Sequence, residues 1–259
     1  MERDGRPNAM AALRAGLDLG VSHIDTAEMY GSGLVEEIVG EAIAGRRENV
    51  FLVSKVLPQH ASFEGVLRAC EGSLGRLRTE HLDVYLLHWR GSHPLEQTIG
   101  GFERLVRDGK IRFWGVSNFD VEDLEAALAI AGEGRMACNQ VLYHLEERAI
   151  EHEVIPWCRE HGVAIVGYSP FGSGRFPSAT SGGGRALAEI ARARRITPRQ
   201  VALAFLVRED TVFAIPKSSS VEHVRENAAA GDVELSAEEV EQIVNAFPLG
   251  RQPRTLPAL

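Results

Sequence analysis

The strongest constraint on what this chain can fold into is the rhythm of its apolar residues. Short β-rich runs alternate with longer stretches of helical periodicity along the whole sequence. The runs at 21–26, 50–56, 82–88, 113–118, 137–143, 164–169 and 212–217 are mostly near-continuous in Val, Ile, Leu and Tyr, as expected of parallel strands covered on both faces. Amphipathic segments at 10–19, 34–44, 63–77, 95–108, 121–131 and 150–161 lie between them, and 197–207 continues the series. Gly20, Gly45, Gly109 and Gly162 stand just past four of these segments, where the left-handed residue that ends a helix is most often glycine. Pro198 falls in the first turn of the last one, where its missing N–H is no loss.

Repeated strand–helix units imply a parallel sheet with right-handed crossovers. The 259 residues match one (β/α)8 barrel of roughly 250 residues. The expected fold is α/β, a TIM-type barrel in a single domain over residues 1–259. Seven strands are counted, and a closed barrel wants eight. The eighth belongs before Met10, and the charged, Pro- and Gly-containing first residues do not supply it. The barrel is therefore expected to lack its first strand here, through a start codon placed too late, a trimmed terminus or a gap, with the late start favoured. The Gly/Ser-rich stretch 173–184 reads as a mobile flap over the mouth. Residues 236–247 read as a helix with a capping box at Ser236 and Glu239, followed by an irregular Pro-containing tail.

Charge and composition exclude several classes. Lys and Arg total 28 against 36 Asp and Glu, a net charge of −8, which argues against nucleic acid as a partner. No apolar run approaches the roughly 20 residues of a membrane span, and the first residues lack a signal-peptide core. A soluble, cytoplasmic protein is expected. Cys70, Cys138 and Cys158 form no CxxC pair and no metal-ligand spacing, so they read as reduced, small apolar residues.

In such a barrel the reactive groups stand at the C-terminal ends of the strands. Those ends are Asp25, Lys55, His88, Ser117 and Asn118, Gln140, Tyr168 and Ser169, and Lys217. Tyr30 follows Asp25 by five residues, in a short loop. Three consecutive strands thus bring a carboxylate, an ammonium, an imidazole and a phenol to one rim. A free phenol, with a pKa of about 10, is a poor acid at neutral pH. A neighbouring ammonium stabilises the phenolate and improves it, and a carboxylate keeps that ammonium charged and oriented. Tyr30 is then placed to give a proton to a carbonyl oxygen, with His88 hydrogen-bonding the same oxygen. Met29 and Trp89 flank these positions and, with Phe119, read as an apolar substrate wall, although core packing explains them almost equally well. His23 shares the strand face of Asp25, but no further carboxylate or histidine completes a metal site. Gly31-Ser32-Gly33 lacks the third glycine of a dinucleotide-binding fingerprint.

Taken together, His23-Ile-Asp-Thr-Ala-Glu-Met-Tyr-Gly31, Val53-Ser-Lys55, Asp83-Val-Tyr-Leu-Leu-His88-Trp89, Gly115-Val-Ser-Asn-Phe119, Asn139-Gln140 and Ile215-Pro-Lys-Ser218 resemble the aldo-keto reductases, in order and spacing over nearly the whole chain. The resemblance is to bacterial members acting on small carbonyl compounds. It implies NADPH-dependent reduction of small aldehydes or ketones by a monomer, with Tyr30 as general acid, Lys55 and Asp25 tuning it, and His88 placing the carbonyl. It also implies that Ser117, Asn118 and Gln140 hold the nicotinamide carboxamide, and that Tyr168 stacks on its ring. Lys217 and Ser218 would meet the adenosine 2′-phosphate, with Glu226 and Asn227 near the adenine. His223 stands where the family usually has Arg. Histidine offers neither a permanent charge nor a bidentate fork, so NADH is the alternative reductant. Two other readings compete: a cofactor-binding redox sensor on the same fold, and a metal-dependent barrel hydrolase.

Overall fold

A computed structural model describes residues 5–259. Among these residues seven strands form one parallel sheet: β1 (His23–Asp25), β2 (Phe51–Val56), β3 (Leu82–Leu87), β4 (Ile111–Ser117), β5 (Met136–Leu142), β6 (Ala164–Tyr168) and β7 (Val212–Ile215). Their order in the sheet is their order in the chain, and every neighbouring pair is parallel. Ten helices accompany them among the described residues: α1 (Arg6–Asp18), α2 (Leu34–Ala42), α3 (Phe63–Leu77), α4 (Leu95–Arg107), α5 (Val121–Ala131), α6 (Val154–Glu160), α7 (Gly182–Arg194), α8 (Pro198–Leu206), α9 (Val221–Ala229) and α10 (Ala237–Ala246). Among the described residues β7 does not pair with β1, so these two strands are the edges of a nearly closed barrel. The helices continue across that seam. α1 packs on α9, close enough that a Cβ on Gly16 would sit 3.5 Å from Val224. Residues 1–4, part of the stretch before Met10 where an eighth strand was sought, lie outside the described residues.

All seven anticipated strands are present, and α3 and α5 have the anticipated bounds. Gly20, Gly45, Gly109 and Gly162 take φ between 66° and 83°, a conformation that a Cβ disfavours. The capping box at Ser236 and Glu239 opens α10. Two local expectations need correcting. The segment 150–161 is a short 3-10 turn, Ala149–Glu151, followed by α6. Pro156 is the cause, since its ring clashes with the carbonyl four residues back and confines it to the first helical turn. The flap expected over 173–184 is also shorter at its far end, because Ser181 accepts the Gly184 N–H and opens α7 at Gly182.

Strand alternation divides the core and places the site. Leu52 and Val56 of β2 belong to the large apolar layer between sheet and helices, whereas Val53 lies in a small inner cluster with Val84, Leu86, Cys138 and Val166. Ile215 packs against that inner cluster. Successive strand residues point to opposite faces, so residues two apart share one. Val53, Leu86, Cys138 and Val166 therefore lie on the same face as Lys55, His88, Gln140 and Tyr168. The inner apolar layer is a floor, and the ring of polar residues one step above it lines the mouth.

Candidate active site

Lys55 is completely buried at the end of β2, and its Nζ donates to Asp25 Oδ1 at 2.5 Å and to the Thr26 carbonyl at 2.8 Å. Asp25 Oδ2 accepts from Gln140 Nε2 at 2.8 Å. The ammonium thus has a buried counter-ion held from its far side by β5. Burial makes such a pair expensive to form but also expensive to break, because either partner alone would be an uncompensated charge. Tyr30 is half-buried, and its ring centroid lies 5.2 Å from Lys55 Nζ. Its ring meets that of His88 edge-on, with centroids 5.7 Å apart at 83°. The four side chains expected at one rim are therefore neighbours. The Tyr30 hydroxyl is not among the hydrogen-bond partners of the ammonium, which are Asp25 and Thr26.

His88 is buried, and burial first, then the Lys55 charge, depresses its pKa to about 4. Its Nδ1 is buried with no hydrogen-bond partner. At neutral pH the ring is uncharged, carries a single N–H and suits hydrogen bonding rather than proton delivery. The depressed pKa also affects stability. The unfolded imidazole, at about 6.5, binds a proton that the folded one resists. The stability that depends on neutral His88 is complete above about pH 6.5 and is lost progressively as pH falls toward 4. At 1.36 kcal/mol per unit the loss is about 3 kcal/mol. Denaturant titrations from pH 7 to 4 are expected to show this loss in the wild type and a shallower slope in His88→Gln. Parallel slopes would contradict the assignment.

The end of β4 is shaped by Asn118, whose left-handed φ of 59° asparagine tolerates better than most residues. Buried Asn139 fixes that turn by donating to the Phe119 carbonyl at 2.9 Å and accepting the Phe119 N–H. Asn118 Nδ2 donates to the His88 carbonyl and to Ser117 Oγ, and its Oδ1 accepts from the Tyr168 hydroxyl at 2.9 Å. Tyr168 also accepts the N–H of Leu259, so the tail after Phe247 runs back to the mouth. Ser117, Asn118, Gln140 and Tyr168 are thus brought together beside the tetrad. Part of Gln140 is already used, since its amide N–H2 serves Asp25. Lys217 is exposed beyond β7, and Ser218 Oγ accepts the Ser220 N–H. Ser220 in turn caps α9, which carries exposed His223 and half-buried Glu226 and Asn227. This second set forms no hydrogen bond with the tetrad.

Of the expected substrate wall, Met29 is 43% exposed and Trp89 38% exposed, with the Trp89 ring 4.9 Å from that of His88. Phe119 corrects the expectation. It is fully buried in the outer core and faces no open space, because the left-handed turn at Asn118 sends the next side chain under α5. His23 lies edge-on to Phe51, and among the described residues no group of three His, Cys, Asp or Glu could hold a metal. No described helix is long and apolar enough to cross a membrane.

One element escaped the sequence reading. After β6, Ser169, Gly172, Ser173 and Gly174 have φ of 53°, 67°, 50° and 90°. These left-handed residues fold the loop sharply back on itself, and the Gly172 N–H closes it on the Ser169 carbonyl at 2.8 Å. The sequence reading had placed Ser169 at a strand end and began its mobile flap only at Ser173. A cleft of about 180 Å³ under the tail, lined by Asp120, Glu122, Glu153 and Arg254 among others, is reached by none of the four reactive side chains.

A family model described as the Aldo/keto reductase family matches residues 3–247. The chain belongs to the aldo/keto reductase family. It is therefore an oxidoreductase of carbonyl groups, and its nearly closed parallel barrel is the family's (β/α)8 fold. This reductase is 46% identical to the methylglyoxal reductase YeaE of Escherichia coli (strain K12) over 94% of its own length and 86% of that protein. It is 35% identical to the glyoxal reductase of Bacillus subtilis (strain 168), over 91% of its length and 82% of the relative. Among solved structures, an aldo-keto reductase from Klebsiella pneumoniae in complex with NADPH superposes with a TM-score of 0.94 at 47% identity, over 99% of this chain and 91% of that one.

Proposed function

We propose that this reductase uses NADPH to reduce small aldehydes and ketones, 2-oxoaldehydes foremost, with Tyr30 as the proton donor. The observation that carries the reading is the buried Asp25–Lys55 pair set against the Tyr30 ring, with His88 on its other flank. A relative crystallised with NADPH and relatives named for methylglyoxal and glyoxal support the choice of cofactor and substrate class.

The residues present fit the cofactor. In the left-handed loop after β6 the Gly172 N–H is taken by Ser169, while the backbone N–H groups of Ser173 and Gly174 meet no backbone carbonyl and suit a pyrophosphate. Lys217 is an exposed cation suited to a 2′-phosphate, and the Tyr168 ring, pinned through its hydroxyl, offers a flat face beside Asn118 and Gln140. When bound, the dihydronicotinamide supplies the hydride.

The chain's own groups do the rest. His88, uncharged, donates its N–H to the substrate oxygen and orients it. Tyr30 delivers the proton to that oxygen as negative charge grows there. Lys55 stabilises the phenolate left behind, and Asp25 holds the ammonium in place. Met29 and Trp89 offer apolar surface to the rest of a small substrate. His223, exposed on α9, cannot supply a permanent charge, which leaves NADH as a weaker alternative.

Purified protein treated with a chelator is expected to oxidise NADPH when methylglyoxal or a nitrobenzaldehyde is added, and to form the corresponding alcohol. Tight NADPH binding with no oxidation across an aldehyde panel would instead favour a redox sensor.

A further inference from the structure

We propose that Glu28 is a positioning residue that sets the separation of Tyr30 from Lys55. Its carboxylate is mostly buried, 11% exposed. Oε1 accepts the backbone N–H of Leu57 at 2.7 Å and faces His60 Nδ1 at 3.0 Å. The Glu28 N–H donates to the carbonyl of Lys55 itself. Glu28 lies two residues before Tyr30, whose N–H turns back to the Ala27 carbonyl. Leu57 lies two residues after Lys55. One side chain therefore joins the loop that carries the phenol to the strand end that carries the ammonium, within two residues of each.

The bond to Leu57 is the stronger half of this contact. A carboxylate on a backbone N–H is charge-assisted. His60 is 49% exposed, so its pairing with Glu28 is screened by water and contributes little. The Glu28 side chain bonds Leu57 and His60 and forms no hydrogen bond with Asp25, Lys55, Tyr30 or His88. Its effect on turnover is therefore indirect. Released from Leu57, the 26–33 loop is held by fewer bonds to β2, and a displacement of about 1 Å at the reacting atoms is enough to slow a reaction about 10²-fold.

This inference rests on Tyr30 being the proton donor, and the test separates the two claims. Glu28→Ala is expected to lower kcat about 10- to 10²-fold, to leave the NADPH dissociation constant unchanged, and to enlarge the solvent deuterium isotope effect, because proton delivery becomes slower than hydride transfer. E28Q retains an oxygen that can accept from Leu57 and is expected to regain most of the rate. E28D keeps the charge but withdraws it by one methylene, so it is expected to resemble E28A and serves if E28A does not fold. Wild-type kcat in E28A or E28D, or a fall in kcat with an unchanged isotope effect, would overturn the assignment. Y30F run alongside distinguishes the failures. An inactive Y30F with a normal E28A removes only the positioning role, whereas an active Y30F removes the acid role on which it depends.

Discussion

Tyr30→Phe is expected to lower kcat for methylglyoxal reduction by about 10²–10⁴-fold, the usual contribution of a positioned general acid, while leaving NADPH affinity unchanged. The substitution removes one oxygen and keeps the ring that packs edge-on to His88 and 5.2 Å from Lys55 Nζ. Packing and the buried ion pair should survive, so lost turnover would report lost proton transfer and not a collapsed site. His88 cannot readily substitute, because its pKa of about 4 leaves almost no imidazolium at neutral pH. Water at the half-exposed mouth is the remaining donor and accounts for the residual rate. Stopped-flow NADPH oxidation with fluorescence titration of cofactor binding measures both quantities. A fully active Y30F would transfer the acid role elsewhere and undo the mechanism.

Much of this arrangement could be read from the sequence because barrel strands convert position into location. Once seven apolar runs had been recognised, the residue ending each had to stand at the mouth. Asp25, Lys55 and His88 could then be grouped although they are far apart in sequence, and the structure pairs the first two at 2.5 Å. What stayed hidden depends on backbone conformation or on contacts across loops. Phe119 follows two mouth residues and looked like part of the same wall, but the positive φ of Asn118 turns it into the core. The left-handed turn at Ser169–Gly174 has the composition of any flexible loop, and only its φ values distinguish it. Glu28 was an unremarked residue within a quoted motif, since nothing in its neighbours reveals that its partner is the Leu57 N–H. Gln140 was assigned to the cofactor alone, whereas its Nε2 also holds Asp25.

Lys55→Met is expected to damage both the fold and turnover. Methionine nearly matches the lysine stem in volume, so the inner layer of Val53, Val84 and Leu86 need not repack. What changes is charge. Asp25, 9% exposed, would keep only the Gln140 amide as a partner, and the Thr26 carbonyl would lose its donor. Breaking a buried pair by removing one member costs roughly 3–5 kcal/mol, a large part of the stability of a typical domain, and urea unfolding should show it directly. Asp25→Asn combined with Lys55→Met removes both charges, and replacing a buried pair whole is often close to neutral. The double variant should therefore recover most of the lost stability. It should not recover activity, because no cation remains to stabilise the phenolate formed when Tyr30 gives up its proton. This divergence separates the two roles of the lysine: a double variant that regained turnover along with stability would show that Lys55 serves the fold alone, and that the phenol needs no neighbouring charge to act as an acid.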